Sequence, residues 1–120
     1  MKPVKKLQSL TIVLILALSA CSRSHVIVVT LWNDSGKPLS GITVDYPEAT
    51  FGKNTLAPGA TFQYKIKVTD NGPLKVSFTN ASGLHISNST GPLHKNDEGT
   101  IEIKLSQETS VPVMHLGASR

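Results

Sequence analysis

The chain contains a single cysteine, Cys21, among 120 residues, and it is poor in aromatic and charged residues. One cysteine excludes an intramolecular disulfide framework and any zinc site built from several thiolates. Charged residues make up 17% of the chain and hydrophobic residues 39%, a balance that is too apolar for an intrinsically disordered protein. Length and composition therefore indicate one small folded domain.

The sequence also lacks a real excess of positive charge, although its formal net charge is +4. Lys2, Lys5 and Lys6 all lie within the first six residues. From residue 21 onward, nine basic residues stand against eight acidic ones. Because a nearly neutral chain cannot neutralise many backbone phosphates, we expect no nucleic-acid partner.

The first 20 residues have the layout of a secretory signal. Residues 1–6 are basic, and residues 7–20 contain no charge. This uncharged stretch of 14 residues is shorter than the ~20 residues that a transmembrane helix needs. The pattern therefore predicts a signal peptide over residues 1–20 rather than a permanent membrane span.

The signal ends in Leu18, Ser19, Ala20 and Cys21. This run resembles the lipobox of bacterial lipoproteins. The resemblance implies that the Cys21 sulfur receives a diacylglycerol, that the leader is cut before it, and that fatty acid such as palmitate acylates the new amino group. Membrane lipid would then be a partner of the chain, since two or more acyl chains give a stable anchor. The alternative is a core cysteine that happens to follow an apolar stretch.

The lipobox resemblance also bears on localisation. It places the protein in the bacterial cell envelope, anchored by lipid. In lipoproteins of bacteria with two membranes, Asp after the cysteine commonly signals retention in the inner membrane. Ser22 occupies that position here, so the resemblance implies the outer membrane if the host has one. Residues 21–24 would form a short tether.

Residues 25–106 read as short strands separated by turn clusters, and no segment has a useful helical repeat. About seven strands predict an all-β fold, a small antiparallel two-sheet sandwich of the immunoglobulin or fibronectin III type without a disulfide. Segments 48–54 and 84–88 are left open as strands or loops, and residues 107–120 are expected to form a loosely ordered tail. The apolar residues of the alternating strands should form one core: Ile27, Val29, Leu31, Ile42, Val44, Phe62, Tyr64, Ile66, Val68, Leu74, Val76, Phe78, Ile101, Ile103 and Leu105.

Two turn regions suggest hairpins. Residues 33–44 contain Gly-Lys-Pro-Leu-Ser-Gly-Ile-Thr-Val, which resembles the first hairpin of invasin-like and carboxypeptidase-regulatory-like sandwich domains. Asn71-Gly72 is typical of a tight hairpin turn and predicts that residues 61–69 pair with residues 73–79.

Four residues are candidates for contact with a partner. In the predicted hairpin, Lys65, Lys67 and Lys75 share the solvent face. They would contact anionic lipid head groups or acidic cell-wall polymers, or they would simply protect an exposed sheet edge. Trp32 lies on the opposite face from Ile27, and it would either contact a partner or be buried under the second sheet or the tail.

Catalytic and metal sites have little support in the sequence. The four histidines lack ligand spacing, and the loop with His94, Asp97 and Glu98 is interpreted as a solvated turn rather than a hard-cation site. No nucleophile motif stands between a strand and a helix, so we expect no catalytic residues, metal or cofactor.

The function predicted is a membrane-anchored envelope lipoprotein whose non-catalytic sandwich binds or scaffolds another envelope protein or polymer. The alternatives are a small inhibitor or immunity-type lipoprotein that blocks a secreted enzyme through a loop, and a small enzyme.

Overall fold

The computed structural model describes residues 25–117, and these residues contain strands but no helix. The strands are β1 (Ile27–Asn33), β2 (Leu39–Tyr46), β3 (Ala49–Leu56), β4 (Thr61–Ile66), β5 (Gly72–Thr79), β6 (His85–Leu93), β7 (Glu98–Leu105) and β8 (Ser110–Gly117). The clearest strands, such as β1 and β7, arise where inward apolar residues alternate with outward ones, because successive side chains in a strand point to opposite faces.

The eight strands form two four-stranded sheets that pack into a small β-sandwich. Sheet A has the order β4-β1-β7-β8, and sheet B has the order β3-β2-β5-β6. Every neighbouring pair is antiparallel except β1 and β7, which run parallel. The predicted all-β, two-sheet sandwich is confirmed, with eight strands in place of about seven.

The strand connections differ from the two predicted hairpins. β1 and β2 lie in different sheets, as do β4 and β5, so neither the hairpin at residues 33–44 nor the hairpin between residues 61–69 and 73–79 forms. Both connections cross from one sheet to the other. Gly72 is the first residue of β5 and has no positive φ angle. Asn71 instead accepts a hydrogen bond from the Lys95 backbone amide at 2.8 Å, which ties two loops together.

The core lies between the sheets and matches the predicted set with two exceptions. Phe62 is only partly buried, and Tyr64 is 44% exposed. Both lie on β4, which is an edge strand of sheet A. All other members are buried, and five more residues join them: Leu39, Phe51, Leu56, Ile86 and Leu93.

The described part of the predicted tail 107–120 is not loosely ordered, because β8 (Ser110–Gly117) lies within it. β8 pairs with β7 along its whole length, from Leu105–Ser110 to Glu98–Gly117. Met114 and Leu116 point inward and pack against the core. The segments left open at 48–54 and 84–88 are also strands, because they lie within β3 and β6.

The connections of the sandwich lie at two ends. The N-terminal end is where β1 begins, and it carries the turn at 47–48 and the loops at 67–71 and 94–97. The opposite end carries the loops at 34–38, 57–60, 80–84 and 106–109.

Two buried asparagines hold the loops of the opposite end in place. Asn33 donates to the Lys37 and Leu56 carbonyls, both at 2.8 Å. Asn80 donates to the Gln107 carbonyl at 2.8 Å and accepts from the Leu84 amide at 2.9 Å. Since each of these side chains satisfies several backbone groups at once, the loops are fixed to the body of the sandwich.

Candidate functional site

A groove of about 260 Å³ crosses the outer face of sheet A, and we call it the Trp32 groove. Cross-strand neighbours build it, since Trp32 pairs with Thr61 on one side and with Lys104 on the other, and Lys104 pairs with Val111. The residues that line it include Thr30, Trp32, Glu102, Lys104, Val111 and Val113. Trp32, Val111 and Val113 are 41%, 47% and 46% exposed.

One lysine of the Trp32 groove, Lys104, contacts both the Trp32 ring and a carboxylate. The Lys104 ammonium lies 5.4 Å from the centre of the Trp32 ring, which is a cation–π distance. The same ammonium is 3.8 Å from an Asp34 carboxylate oxygen. The indole therefore has a polar neighbour on the sheet surface, while much of its apolar area stays open to solvent. The structure supports the prediction that Trp32 lies on the outer face, and it brings Val111 and Val113 beside it.

The three predicted lysines do not form one cluster. Lys65 lies on β4 opposite Val28 of β1, and Lys67 follows the end of β4. Lys75 lies on β5 in the other sheet, opposite Asp45 of β2. Because β4 and β5 belong to different sheets, the shared lysine face that the hairpin predicted does not exist.

Four of the six aromatic residues cluster where the edges of the two sheets meet. Phe51 of β3 stacks on Tyr64 of β4, with ring centroids 4.5 Å apart, and Tyr46 and Phe62 lie at 6.3 and 6.5 Å from Phe51. Burial, and to a smaller degree the neighbouring Tyr64, raises the pKa of Tyr46 above its ordinary value. This cluster covers the open side of the core at the β3–β4 edge.

A shallow depression of about 400 Å³ lies at the N-terminal end of the sandwich, among Asp45, Glu48, Asp70 and Lys75. Two of its carboxylates bond to threonine hydroxyls, Asp45 to Thr50 at 2.5 Å and Glu48 to Thr69 at 2.8 Å. Within residues 25–117, no group of three or more His, Cys, Asp or Glu side chains is placed to hold a metal ion.

The loop with His94, Asp97 and Glu98 is a turn fixed by its own carboxylate. Asp97 is 6% exposed and accepts a hydrogen bond from the His94 backbone amide at 2.9 Å. Glu98 points elsewhere and meets His25 at 3.1 Å. The loop is a turn, as predicted, but the prediction that it is solvated is wrong for Asp97, because that carboxylate is buried by its contact with the loop backbone.

The lipidation candidates Leu18, Ser19, Ala20 and Cys21 lie outside the described residues. No helix able to cross a bilayer occurs in the part of the chain that the structure covers.

Sequence reasoning missed the contribution of β7 and β8 to the groove. Glu102 and Lys104 are the polar members of an alternating strand, which identifies only a solvent-facing position. Val111 and Val113 are separated by Pro112 and followed by Met114, so apolar residues fill both faces of β8 and the twofold pattern is hidden.

No protein-family model matches the chain, and no curated protein matches it either. A solved structure described as the NMR structure of the protein from Eubacterium rectale is similar in fold, with a TM-score of 0.57. The similarity covers 72% of this chain and 87% of that chain. At 15% sequence identity, the likeness shows the sandwich fold alone.

Proposed function

We propose that the protein is a bacterial envelope lipoprotein, anchored through acylated Cys21, whose sandwich is a non-catalytic module that binds or scaffolds an envelope component. The observation that carries the proposal is the lipobox-like run Leu18, Ser19, Ala20 and Cys21 after a basic and an apolar segment. The Trp32 groove supplies a surface on which a partner can be bound. If the host has two membranes, we propose the outer membrane as the destination, because Ser22 stands where an Asp would signal retention in the inner membrane.

The layout of the sandwich is compatible with such an anchor. Four residue steps separate Cys21 from His25, where the described chain begins. An extended chain covers at most about 3.6 Å per residue, so His25 would lie within ~14 Å of the acylated cysteine. The N-terminal end would then face the lipid, and the fixed loops at the opposite end would point away from it. Trp32, near the far end of β1, would be accessible on the side of the domain.

The anchor is tested by detergent phase partitioning and by labelling with a radioactive fatty acid. The wild-type chain is expected in the detergent phase with label attached, and the Cys21→Ala variant is expected without label. Ser22→Ala is the matched control, because it changes the neighbouring residue and leaves the acylated sulfur in place. Recovery of unlabelled wild-type protein in the aqueous phase would overturn the proposal.

One observation favours the alternative function, an inhibitor or immunity-type lipoprotein. Leu84 is 58% exposed on the loop at 80–84, and the Asn80 carboxamide oxygen accepts from both the Ser82 and Leu84 amides at 2.9 Å. A rigid loop that presents a leucine suits insertion into an apolar pocket of a secreted enzyme, since little entropy is lost on binding. The test is copurification of a bound enzyme with each variant. If the enzyme no longer copurifies with Leu84→Asp but still copurifies with Trp32→Ala, the inhibitor function is favoured over binding through the Trp32 groove.

A further inference from the structure

The open edge of strand β4 is the least protected edge of the sandwich. Each sheet has two edge strands, and three of the four carry a residue that discourages further pairing. β6 contains Pro92 and β8 contains Pro112, which have no N–H to donate. On β3, Lys53 lies opposite the buried Ile42 and so belongs to the inner face, with its ammonium 5.1 Å from the centre of the Phe62 ring. β4 has no proline, no glycine and no charged residue on its inner face.

The backbone groups that β4 leaves unpaired follow from its register with β1. The Asn33 amide donates to the Ala60 carbonyl at 3.0 Å, at the end of the β1–β4 ladder. Because hydrogen-bonded and non-hydrogen-bonded pairs alternate along an antiparallel ladder, the even-numbered residues of β4 direct their N–H and C=O groups toward β1. The odd-numbered residues direct theirs toward the open edge, and all three are exposed: Thr61, Gln63 and Lys65.

An aromatic residue beside that edge belongs to the inner face but is only partly covered. Tyr64 lies opposite Val29, which is fully buried, so both residues share the inner face of sheet A. The Tyr64 ring stacks on Phe51 with 4.5 Å between centroids, yet Tyr64 is 44% exposed. A strand added at the edge would place a residue opposite Tyr64, with about 4.5–5.5 Å between the two Cβ atoms. An apolar side chain at that position would complete the cover of the ring.

The same edge carries positive charge. Lys65 is exposed on the outer face of β4, and Lys67 is exposed just after the strand ends. Within residues 25–117, no ion pair involves either lysine. Lysines at an edge oppose pairing with a strand of the same charge, whereas an acidic residue directly opposite a lysine stabilises the pairing. The two lysines therefore restrict this edge to acidic segments instead of closing it.

We propose that β4 is a docking edge for an extended acidic segment of another protein, which adds to sheet A as a fifth strand. The inward side chains of the segment are apolar, with one over Tyr64, and its outward side chains are acidic, beside Lys65 and Lys67. In such strand addition, main-chain hydrogen bonds give affinity and alternate side chains give specificity. The docking edge is separate from the Trp32 groove, and it rests on the proposed binding function of the sandwich but not on the lipid anchor.

The probe is a fluorescein-labelled peptide of about ten residues, the length of a long strand, in which Glu and Val alternate. It is titrated into the full-length protein in a neutral detergent, and fluorescence anisotropy measures binding. A peptide in which Lys and Val alternate has the same apolar pattern and the opposite charge. It is expected to bind about tenfold more weakly or less, because its charges repel those of the edge.

Gln63→Pro tests the backbone contact. Since Gln63 directs its N–H toward the open edge, proline removes a donor for the peptide and leaves the β1–β4 ladder in place. Gln63→Ala is the matched control, because it removes the same side chain, including its hydrogen bond to the Thr30 hydroxyl at 3.2 Å, and keeps the N–H. Gln63→Pro should bind the acidic peptide about fivefold more weakly than Gln63→Ala, the effect of one lost hydrogen bond. Circular dichroism checks that both variants are folded.

Lys65→Glu tests the charge and does not depend on the fold tolerating proline. Reversal of this charge is expected to weaken binding of the acidic peptide about tenfold. Lys37→Glu makes the same change in net charge at an exposed position of the loop at 34–38, and it should leave the affinity unchanged.

Equal affinity of Gln63→Pro and Gln63→Ala, or equal affinity for the acidic and the basic peptide, would overturn strand addition. Inorganic polyphosphate that displaces the peptide at the same charge concentration would show that the edge attracts any polyanion, and it would overturn the proposal as well. The same preparations are assayed for fatty-acid label. Labelled protein that does not bind the peptide refutes the docking edge and leaves the anchor intact, whereas unlabelled protein that binds it refutes the anchor alone.

Discussion

Replacement of Asn33 by Asp tests how the loops at the end of the sandwich opposite the N-terminus are held. Asn33 is 0% exposed, and its amide nitrogen donates to the Leu56 and Lys37 carbonyls. Its carboxamide oxygen accepts from the Ser35 amide at 3.0 Å and from the Ser35 hydroxyl at 2.6 Å. Asn33→Asp keeps the shape and the accepting oxygen but turns the donor into a second acceptor that faces two carbonyls.

The expected cost follows from those contacts. Each lost hydrogen bond removes ~1 kcal/mol, and a buried carbonyl left without a donor costs ~1–3 kcal/mol. Asn33→Asp should therefore lower the free energy of unfolding by about 2–4 kcal/mol at pH 7, a large part of the ~5–15 kcal/mol of a typical domain. Asn54→Asp, at an exposed position on β3, is the control and should cost less than about 0.5 kcal/mol.

The pH dependence of the destabilisation by Asn33→Asp gives a second, independent test. Burial against two carbonyls should raise the pKa of the introduced carboxyl above the ~3.9 of an unfolded chain. A raised pKa means that the protonated form is favoured in the folded state, and a protonated carboxyl can again donate to Leu56. The loss in free energy of unfolding caused by Asn33→Asp should therefore shrink as the pH falls from 7 toward 4, and it should grow again as the pH returns to 7. Urea denaturation followed by far-UV circular dichroism measures it. A cost equal to that of Asn54→Asp, or a cost that grows at low pH, would refute the reasoning.

Two further predictions concern the core and the backbone. Phe78→Ala should lower the free energy of unfolding by ~2–5 kcal/mol, because Phe78 is fully buried, whereas Lys75→Ala should change it by less than about 0.5 kcal/mol; equal urea midpoints would mean that the register of β5 is wrong. Gly99 has a φ of +137°, and a Cβ there would collide with the His115 carbonyl oxygen, so Gly99→Ala should cost more than Gly36→Ala. Gly36 has a φ of +77° with no atom within 4 Å and should lose only the ~1–2 kcal/mol of a left-handed residue; thermal unfolding that ranks the two the other way would contradict this packing.

The strand faces could be predicted from the sequence because alternation is a local property. Ile27, Val29 and Leu31 are buried as a set, since a shift of one residue would turn them all toward solvent. Tyr64 follows the same alternation and points inward, yet it remains exposed. Its burial depends on whether sheet B extends over the edge strand β4, and the residues next to Tyr64 in the sequence do not determine how far sheet B extends.

The pairing of the strands could not be predicted in the same way. Asn71-Gly72 favours a chain reversal, but a reversal can join neighbours in one sheet or cross to the other sheet. The parallel contact between β1 and β7 joins residues about 70 positions apart along the chain. Strand β8 was missed because Pro112, which cannot donate to a ladder, argues against a strand except at an edge, and β8 is such an edge.

The position of β1 within sheet A also determines how the domain would carry mechanical load. β1 is an interior strand, paired with β4 on one side and with β7 on the other. Tension applied through a lipid at Cys21 would pull β1 along its own axis, so the ladders on both sides would be sheared together instead of opening one bond at a time. A partner held at Trp32 would take up that tension on the same strand. The pulling force would then pass from lipid to partner through the first six residues of β1, Ile27 to Trp32, and the other strands of the sandwich would carry little of it.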